Sequence, residues 1–415
     1  MSVSYARFHR LAAASAGAVA LLVSCAKSDA TGREEEAHEV VVPPAVEEAG
    51  TDASLSDAGP DDASDVTDFA PLPPVQECTA TAPCPIEVPA PIPRTRNLVA
   101  IAGSGPDDVW AVGASSTVLH FDGTAWSSPA TWQGAASGQN TLGGIWLSRR
   151  DDVWFMDGSD LVHSTGWRGP TGTTFERQED ALSKASEIPG LLSRPTDLGG
   201  PANGAAWNVA RGELGFANVL VHWSPWSEEG PTGVDTVILN YDDGFLRAVS
   251  VPDANTVWAA GDRGKVFRAL RVMPDAGGNL PPWQKWQIEE WNSHSTTALS
   301  DVYARGDEVW LIGNSGLVRR LGVDADGLRR FLTVETGSTV DLRAVHVFSP
   351  NDVWIVGDLA TILHFDGTSW WRVPTPFDRD AKRPTLRAVW GADASDVWFV
   401  GEGTTLRLQR SGEKK

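Results

Sequence analysis

The chain is poor in the residues on which several common classes of protein depend. Its 415 residues include only three Cys and three Tyr. Its basic residues (34) are outnumbered by acidic ones (54) and do not cluster, so no surface that follows nucleic-acid phosphates is expected. No zinc spacing, phosphate loop or Ser-His-Asp signature stands out. We therefore predict no metal, no cofactor and no nucleic-acid partner, and we assign no catalytic residue.

What the chain does contain is a repeated motif, Asp-Val-Trp followed by two apolar residues and Gly. It is present at 108–113, 352–357 and 396–401, and variants end in Val-Trp at Trp154, Trp258 and Trp310. The repeated Trp are 44 to 104 residues apart, and Trp207 divides the longest gap. A period of about 40 to 50 residues predicts an array of seven small units that must stack to bury their apolar faces.

Each unit has the pattern of four short antiparallel strands. In the clearest copy, residues 342–373, four apolar runs are separated by turn residues, and Asp366-Gly367 is a strong hairpin signal. We therefore predict an all-β, seven-bladed β-propeller over residues 78–415. The third copy, near Trp207, is weak, so six blades with an insertion across residues 168–245 remain an alternative.

The last copy, residues 386–409, has only three strands. A ring that closes needs a fourth, because an open blade exposes an unpaired edge. Ile86-Glu87-Val88-Pro89 resembles the segment Trp371-Arg372-Val373-Pro374, which ends a fourth strand. The sequence therefore predicts that residues near 85–90 complete the last blade. The repeated Trp themselves are predicted to fill the space between blades.

Residues 1–25 have the pattern of an export signal. Arg7, His9 and Arg10 precede a 13-residue apolar stretch, Leu11 to Val23, which is too short for a transmembrane helix. Leu22-Val23-Ser24-Cys25 resembles the lipobox of bacterial lipoproteins. That resemblance implies a lipid anchor on Cys25, and Ala26 after it favours delivery to the outer membrane. An ordinary secretory signal is the alternative.

Residues 26–77 are predicted to be a disordered tether. From 28 to 77 there are 14 acidic residues against Arg33 alone, in a background of Ala, Pro and Ser. The remaining cysteines, Cys78 and Cys84, lie where the tether ends, and in an exported protein we expect them to form a disulfide.

Three inner strands carry arginine directly after leucine, at Arg247, Arg343 and Arg387. Loops after the second strands bring polar side chains to the same end of the channel: Asp262, Asn314, Asp358 and Glu402. The arginines resemble, in outline, the cluster with which sialidase propellers bind a carboxylate. The Phe-Asp-Gly-Thr turns are also distantly similar to the hairpins of Asp-box and WD-type propellers, but they lack one residue of the Asp-box. Structural ion pairing is the alternative role.

At the other end of the inner strands, one position varies among blades and holds Trp146, Tyr303, His346 and Trp390. This variety predicts either an aromatic ligand pocket or different fillings of the channel mouth. Asp324-Ala325-Asp326-Gly327 contains part of a calcium loop but lacks its other carboxylates, which favours a hairpin turn.

These features predict a monomeric, exported, membrane-anchored propeller that binds a protein or glycan at the bacterial cell envelope. Fold alone does not assign function. One alternative is a glycan-acting hydrolase or lyase. Another is an envelope-assembly lipoprotein, similar to the propeller component of the outer-membrane protein insertion machinery, whose repeat is longer.

Overall fold

The structure, a computed structural model, confirms the all-β, seven-bladed prediction. Within the residues it describes, seven four-stranded antiparallel sheets surround a central channel, with the inner strands of successive sheets in contact around the ring. No helix in this part of the chain has the length and apolar character that a membrane crossing requires. The structure describes residues 72–79, 82–133, 140–158, 160–178, 197–201, 206–211, 217–223, 226–227, 230–231, 234–241, 244–272 and 285–410.

The strands of each blade are given from the channel outwards. Blade 1 has Leu98–Gly105, Asp108–Gly113, Thr117–Phe121 and Trp126–Ser127, and blade 2 has Leu142–Arg149, Asp152–Asp157, Asp160–Ser164 and Glu176–Gln178. Blade 3 has Leu198–Gly199, Ala206–Arg211, Ala217–Trp223 and Val234–Tyr241, and blade 4 has Leu246–Asp253, Thr256–Gly261, Lys265–Arg271 and Trp286–Asn292. A hairpin of Trp226–Ser227 and Gly230–Pro231 interrupts blade 3. The weak third repeat is therefore a complete blade.

The remaining blades follow the same order. Blade 5 has Leu299–Arg305, Glu308–Gly313, Val318–Val323 and Arg329–Thr333, and blade 6 has Leu342–Ser349, Asp352–Gly357, Ile362–Phe365 and Trp370–Arg372. Blade 7 has Leu386–Asp393, Asp396–Gly401, Thr404–Gln409 and, from the other end of the chain, Ile86–Glu87. Short 3-10 turns occupy Asp262–Gly264 and Asn314–Gly316.

The ring is closed by a strand that precedes the first blade. Ile86 pairs with Arg407 and Glu87 with Leu406, in antiparallel register, at the position where the sequence places the closing strand. The backbone N–H of Val88 continues the ladder with a hydrogen bond of 2.9 Å to the carbonyl of Thr405. The outer edge of the strand Thr404–Gln409 is therefore paired along these residues.

A further segment pairs with blade 6. Val75 forms a parallel bridge with Arg372, and the N–H of Arg372 donates to the carbonyl of Pro74 at 2.9 Å. Cys78 and Cys84 form a disulfide with their Cα atoms 5.3 Å apart, so it links this segment to the closing strand. Ordered pairing thus begins before residue 78. Cys25, the export signal and residues 26–71 lie outside the described residues.

The repeated tryptophans fill the core as predicted. The repeated Trp is almost completely buried in all seven blades. They pack across blade boundaries: Trp398 of blade 7 lies 4.7 Å, between ring centroids, from Phe121 of blade 1. This packing explains why one unit cannot fold without its neighbours.

In blades 1, 2 and 6 the aspartate of the motif binds its own tryptophan. In blade 1, Asp108 accepts hydrogen bonds from Trp110 Nε1 at 3.1 Å and from the hydroxyl of Ser104, and His120 Nε2 lies 2.8 Å from it. Asp152 and Asp352 bond the Trp and His of their own blades in the same way. In these three blades hydrogen bonding as well as packing fixes the motif, whereas in blade 7 Asp396 pairs with Arg407 and Trp398 Nε1 has no hydrogen-bond partner among the described residues.

Candidate functional site

The central channel is the candidate site, because both sets of predicted binding residues border it. Its inner strands run from one face of the ring to the other and enclose two connected regions of about 220 Å³ and about 350 Å³. The smaller region is bordered by Arg247, Arg343 and Arg387. The larger is bordered by the four predicted aromatic or imidazole side chains: Trp146, Tyr303, His346 and Trp390.

At the arginine mouth, each guanidinium is paired with a carboxylate from its own blade. Arg343 donates to Asp358 at 2.8 and 2.6 Å and also to Asp341 at 3.3 Å. Hydrogen bonding from Arg343 lowers the pKa of the Asp358 carboxyl and raises the pKa of the guanidinium. The other two pairs are Arg247 with Asp262 at 2.6 Å and Arg387 with Glu402 at 3.1 Å.

This pairing gives the arginine mouth a local balance of charge. The sequence correctly placed the three arginines and the acidic loop residues together, but a ligand carboxylate would have to compete with partners already in hydrogen-bond range. Asn314 lies in the corresponding 3-10 turn of blade 5, a blade that has Ser300 in place of arginine. A ligand-binding role for these arginines remains a prediction.

At the other mouth, two tryptophans lie over small residues of the next blade. Trp146 Nε1 donates to the carbonyl of Gly200 at 2.8 Å. Trp390 lies against Gly103, where an added Cβ would be only 2.6 Å from the indole Cη2 atom. A side chain at Gly103 would therefore displace Trp390 from its position.

Tyr303 and His346 stand side by side on neighbouring blades. Their rings make an edge-to-face contact with centroids 5.2 Å apart, and Phe348 contacts the imidazole from below at 4.6 Å. Burial lowers the pKa of His346 to about 4, so the ring is neutral at physiological pH. Burial likewise raises the pKa of the Tyr303 hydroxyl.

Between the two mouths lie two aspartates that the sequence analysis missed, Asp197 and Asp301. Both border the smaller and the larger region of the channel. In each, one oxygen accepts the N–H of the following residue at 2.8 Å. The other oxygen accepts an N–H from the next blade, Val249 for Asp197 at 3.0 Å and Val345 for Asp301 at 2.9 Å. The two sites have the same geometry.

Their surroundings disfavour the charged form. The channel leaves them partly uncovered, yet they lie deep within it, and desolvation raises the pKa of Asp197 to about 7. Desolvation also raises the pKa of Asp301, well above its usual value, and the negative charge of Asp197 raises it further. No ion pair involves either residue in the described part of the chain.

A sequence signal for these aspartates exists. In the alignment of the repeats, both lie two residues before the inner-strand residue that pairs with the repeated Trp. The other five blades have only alanine or glycine there: Ala100, Gly144, Ala248, Ala344 and Ala388. Two carboxylates at a position that otherwise admits only small residues could therefore have been noticed from the repeats alone.

The calcium-loop fragment forms a turn. Asp324 Oδ1 accepts the backbone N–H groups of Asp326 and Leu328, both at 2.9 Å, and Arg330 pairs with the other oxygen. Across the residues that the structure describes, no three His, Cys, Asp or Glu side chains converge as metal ligands.

No protein-family model and no curated protein matches the chain. Solved structures match the fold. A structure of YCF48 bound to D1 peptide has a TM-score of 0.57 at 15% identity, covering 83% of this chain and 99% of that one. YCF48 from Cyanidioschyzon merolae has a TM-score of 0.55 at 16% sequence identity, and the match covers 79% of this chain and 98% of that one. The WD40 β-propeller domain of Doa1 has a TM-score of 0.54 at 12% sequence identity, and the match covers 75% of this chain and 92% of that one. At these identities the likeness shows a shared propeller fold.

Proposed function

We propose that this protein is a binding scaffold: an exported, lipid-anchored propeller that holds a protein ligand at the aromatic mouth of its channel. The observation that carries the proposal is the cavity of about 350 Å³ at that mouth, which combines aromatic walls with polar groups. Ligand sites are concave, largely apolar and contain a few convergent polar groups. A propeller of similar fold, YCF48, has been solved with a bound peptide.

Two features argue against a glycan-acting enzyme. The arginines that would hold a substrate carboxylate are paired with Asp or Glu. The repeated Ser-Asp-His network has the wrong order for nucleophilic catalysis, because Asp108 lies between Ser104 and His120, whereas a triad needs the imidazole next to the hydroxyl. His120 is also completely buried. This network stabilises the blade.

The anchor and the location belong to the same proposal. Their support is the lipobox-like Leu22-Val23-Ser24-Cys25 and the acidic segment that follows it. An acidic, Ala/Pro-rich chain of about 50 residues repels itself and would hold the ring at least about 40 Å from the bilayer. We propose the outer membrane of a bacterium as the location, with the protein acting as a monomer.

Site-specific photo-cross-linking in the bacterial envelope tests the binding role. A photoreactive residue is placed at Asn351, in the hairpin on the aromatic face of blade 6, or at Leu359, in the loop on the arginine face of the same blade. Both are exposed. We expect a discrete protein adduct at Asn351 and none, or a much weaker one, at Leu359.

Adducts of equal yield at both positions, or none at either, would contradict the proposal. A panel of fluorogenic glycosides and a glycan array examine the alternative directly. Turnover by the wild-type protein that is lost on Arg343→Ala would establish an enzyme instead. The Arg247→Ala substitution is a suitable comparison, because that ion pair is more exposed.

A further inference from the structure

We call the larger region of the channel the aromatic chamber. It is bordered by four large side chains, Trp146, Tyr303, His346 and Trp390, and Asp197 and Asp301 lie at its inner end. Its walls come from blades 2, 5, 6 and 7, while blades 1, 3 and 4 contribute Ala102, Gly199 and Ser250 at the same strand position. Large rings and small residues thus share one level of the channel. This arrangement keeps a space open where seven large side chains would fill it.

Several polar groups around the chamber lack a partner. Among the described residues, neither the Tyr303 hydroxyl nor either ring nitrogen of His346 has a hydrogen-bond partner, although burial depresses the pKa of that imidazole. Each aspartate uses its two oxygens for backbone N–H groups and keeps further acceptor capacity, since a carboxylate has about four lone-pair sites. These groups therefore have hydrogen-bonding capacity that a ligand in the channel can use.

The cations near the chamber are engaged elsewhere. Arg305 lies on the same face, and its guanidinium donates to the carbonyls of Val347 and Phe348. At the opposite mouth, the three arginines are paired with Asp262, Asp358 and Glu402. The charge of Asp197 therefore acts on Asp301, and neither aspartate forms an ion pair within the part of the chain described.

We propose that the aromatic chamber binds the cationic end of a lysine or arginine side chain presented by a protein ligand. The ammonium or guanidinium group would reach Asp197 and Asp301, and the alkyl stem would pack against the indoles of Trp146 and Trp390. A cation gains from carboxylate neighbours and from the faces of aromatic rings in a region shielded from water. Residues 78–415 hold 40 acidic and 30 basic residues, a net charge of −10, which favours the approach of a basic ligand. This inference rests on the proposed function and specifies its ligand.

Binding should depend on pH in a defined direction. A bound cation favours the ionised carboxylates, so it displaces protons from Asp197 and Asp301. Because the pKa of Asp197 is raised to about 7, affinity should increase about tenfold between pH 6 and pH 8. The other titratable or charged groups around the chamber are His346, Tyr303 and Arg305. Arg247, Arg343 and Arg387, which border the smaller region together with both aspartates, also stay charged over this range. His346 is already neutral at pH 6 and Arg305 stays charged throughout, so neither reverses this direction.

The test uses the full chain purified in detergent and isothermal titration calorimetry. The probes are acetylated, amidated pentapeptides with Lys, Arg, norleucine or Glu as the central residue between glycines, and n-butylammonium as a free amine. We expect saturable binding of the Lys or Arg peptide and no detectable binding of the norleucine or Glu peptide. The free amine should bind at least tenfold more weakly than the cationic peptide.

Matched variants locate the site. Asp301→Asn and Asp197→Asn keep the shape of the side chain and one oxygen that accepts a backbone N–H, but they remove the charge. Each should lower the affinity for the cationic peptide at least tenfold. Glu290→Gln removes an exposed carboxylate from the outermost strand of blade 4, outside the channel, and should leave the affinity unchanged. If either chamber variant fails to fold, as judged by circular dichroism, Tyr303→Phe and Trp390→Leu probe the same walls.

Four outcomes would overturn the inference: equal affinity for the norleucine peptide, equal affinity for the free amine, unchanged affinity in both aspartate variants, or a loss as large in Glu290→Gln. A cationic probe that does not bind at all also overturns it. If the cross-link at Asn351 persists in that case, the scaffold function stands and only the ligand chemistry is wrong. If the cross-link is absent as well, both proposals fail.

Discussion

Asp301 accepts a hydrogen bond of 2.9 Å from the backbone N–H of Val345 and so joins the inner strands of blades 5 and 6. Asp197 makes the equivalent bond of 3.0 Å to Val249, between blades 3 and 4. The partners are 44 and 52 residues apart, which is one repeat in each case. These carboxylates are therefore part of the channel's structure, and their remaining acceptor sites are available to a ligand.

The buried aspartates make stability depend on pH. Their folded-state pKa values are raised above the unfolded value of 3.8, so the unfolded chain releases these protons first. Stability falls as pH rises from about 4 through about 7 for Asp197, and as pH rises above about 4 for Asp301. His346 acts in the opposite direction, because its lowered pKa removes stability as pH falls below 6.5 towards about 4. Above pH 6.5 only the aspartates contribute.

We therefore expect the melting temperature of the wild type to fall between pH 6.5 and 8, relative to Asp301→Asn. The slope for each group is at most about 1.4 kcal/mol per pH unit. Differential scanning calorimetry across this range gives the comparison, with Asp307→Asn, an exposed carboxylate on the same blade, as the control. Parallel pH profiles for all three proteins would show that Asp301 is not perturbed.

The motif aspartate of blade 1 should be much more important for stability than its neighbour. Asp108→Ala leaves Trp110 Nε1 and His120 without their buried partner, which should cost about 2 to 4 kcal/mol in the free energy of unfolding. Asp107→Ala removes an exposed pair with Arg150 and should cost no more than about 1 kcal/mol. Chemical denaturation measures both. Equal losses would mean that packing alone fixes the tryptophan.

The closing strand predicts a sharp boundary for truncation. A chain that begins at residue 82 loses the segment on blade 6 and the disulfide but keeps Ile86–Glu87, so it should remain folded. A chain that begins at residue 95 also loses the strand and the packing of Val88, Ala90 and Ile92 against blades 1 and 7. Together these losses should lower the free energy of unfolding by about 3 to 5 kcal/mol. Thermal melting of both, exported behind a cleavable signal, checks this. Identical melting curves would mean that the ring closes without the strand.

Cys25→Ala should abolish lipidation. In the lipobox resemblance this cysteine carries the acyl chains, and without them membrane binding is lost. Metabolic labelling with an alkyne fatty acid should label the wild type and leave the variant unlabelled, either uncleaved or released from the membrane fraction. Cys78→Ala is the control, since Cys78 is held in the disulfide. Equal labelling of wild type and Cys25→Ala would refute Cys25 as the attachment site.

The sequence alone determined the architecture. The recurrence of Trp354 and its equivalents, the Asp366-Gly367 type of turn and the missing fourth strand of the last repeat are local patterns, and local patterns recur because every blade must satisfy the same packing. They predicted seven blades and which end of the channel each candidate residue occupies. The roles of the repeated histidines and of Ser104 could not be predicted from these patterns. Their hydrogen bonds to the motif aspartates depend on the register between strands.

Only the tertiary structure decided the chemistry of the channel. It brings Asp197 and Asp301 to one level of a narrow passage, where distance from water raises their pKa values. It also pairs Arg247, Arg343 and Arg387 with carboxylates across the strand-to-loop turns. Desolvation and charge pairing depend on atoms contributed by blades a whole repeat apart in the chain. A residue's own sequence neighbours carry little information about them. The repeats could have marked the position of the two aspartates, but not their raised pKa values.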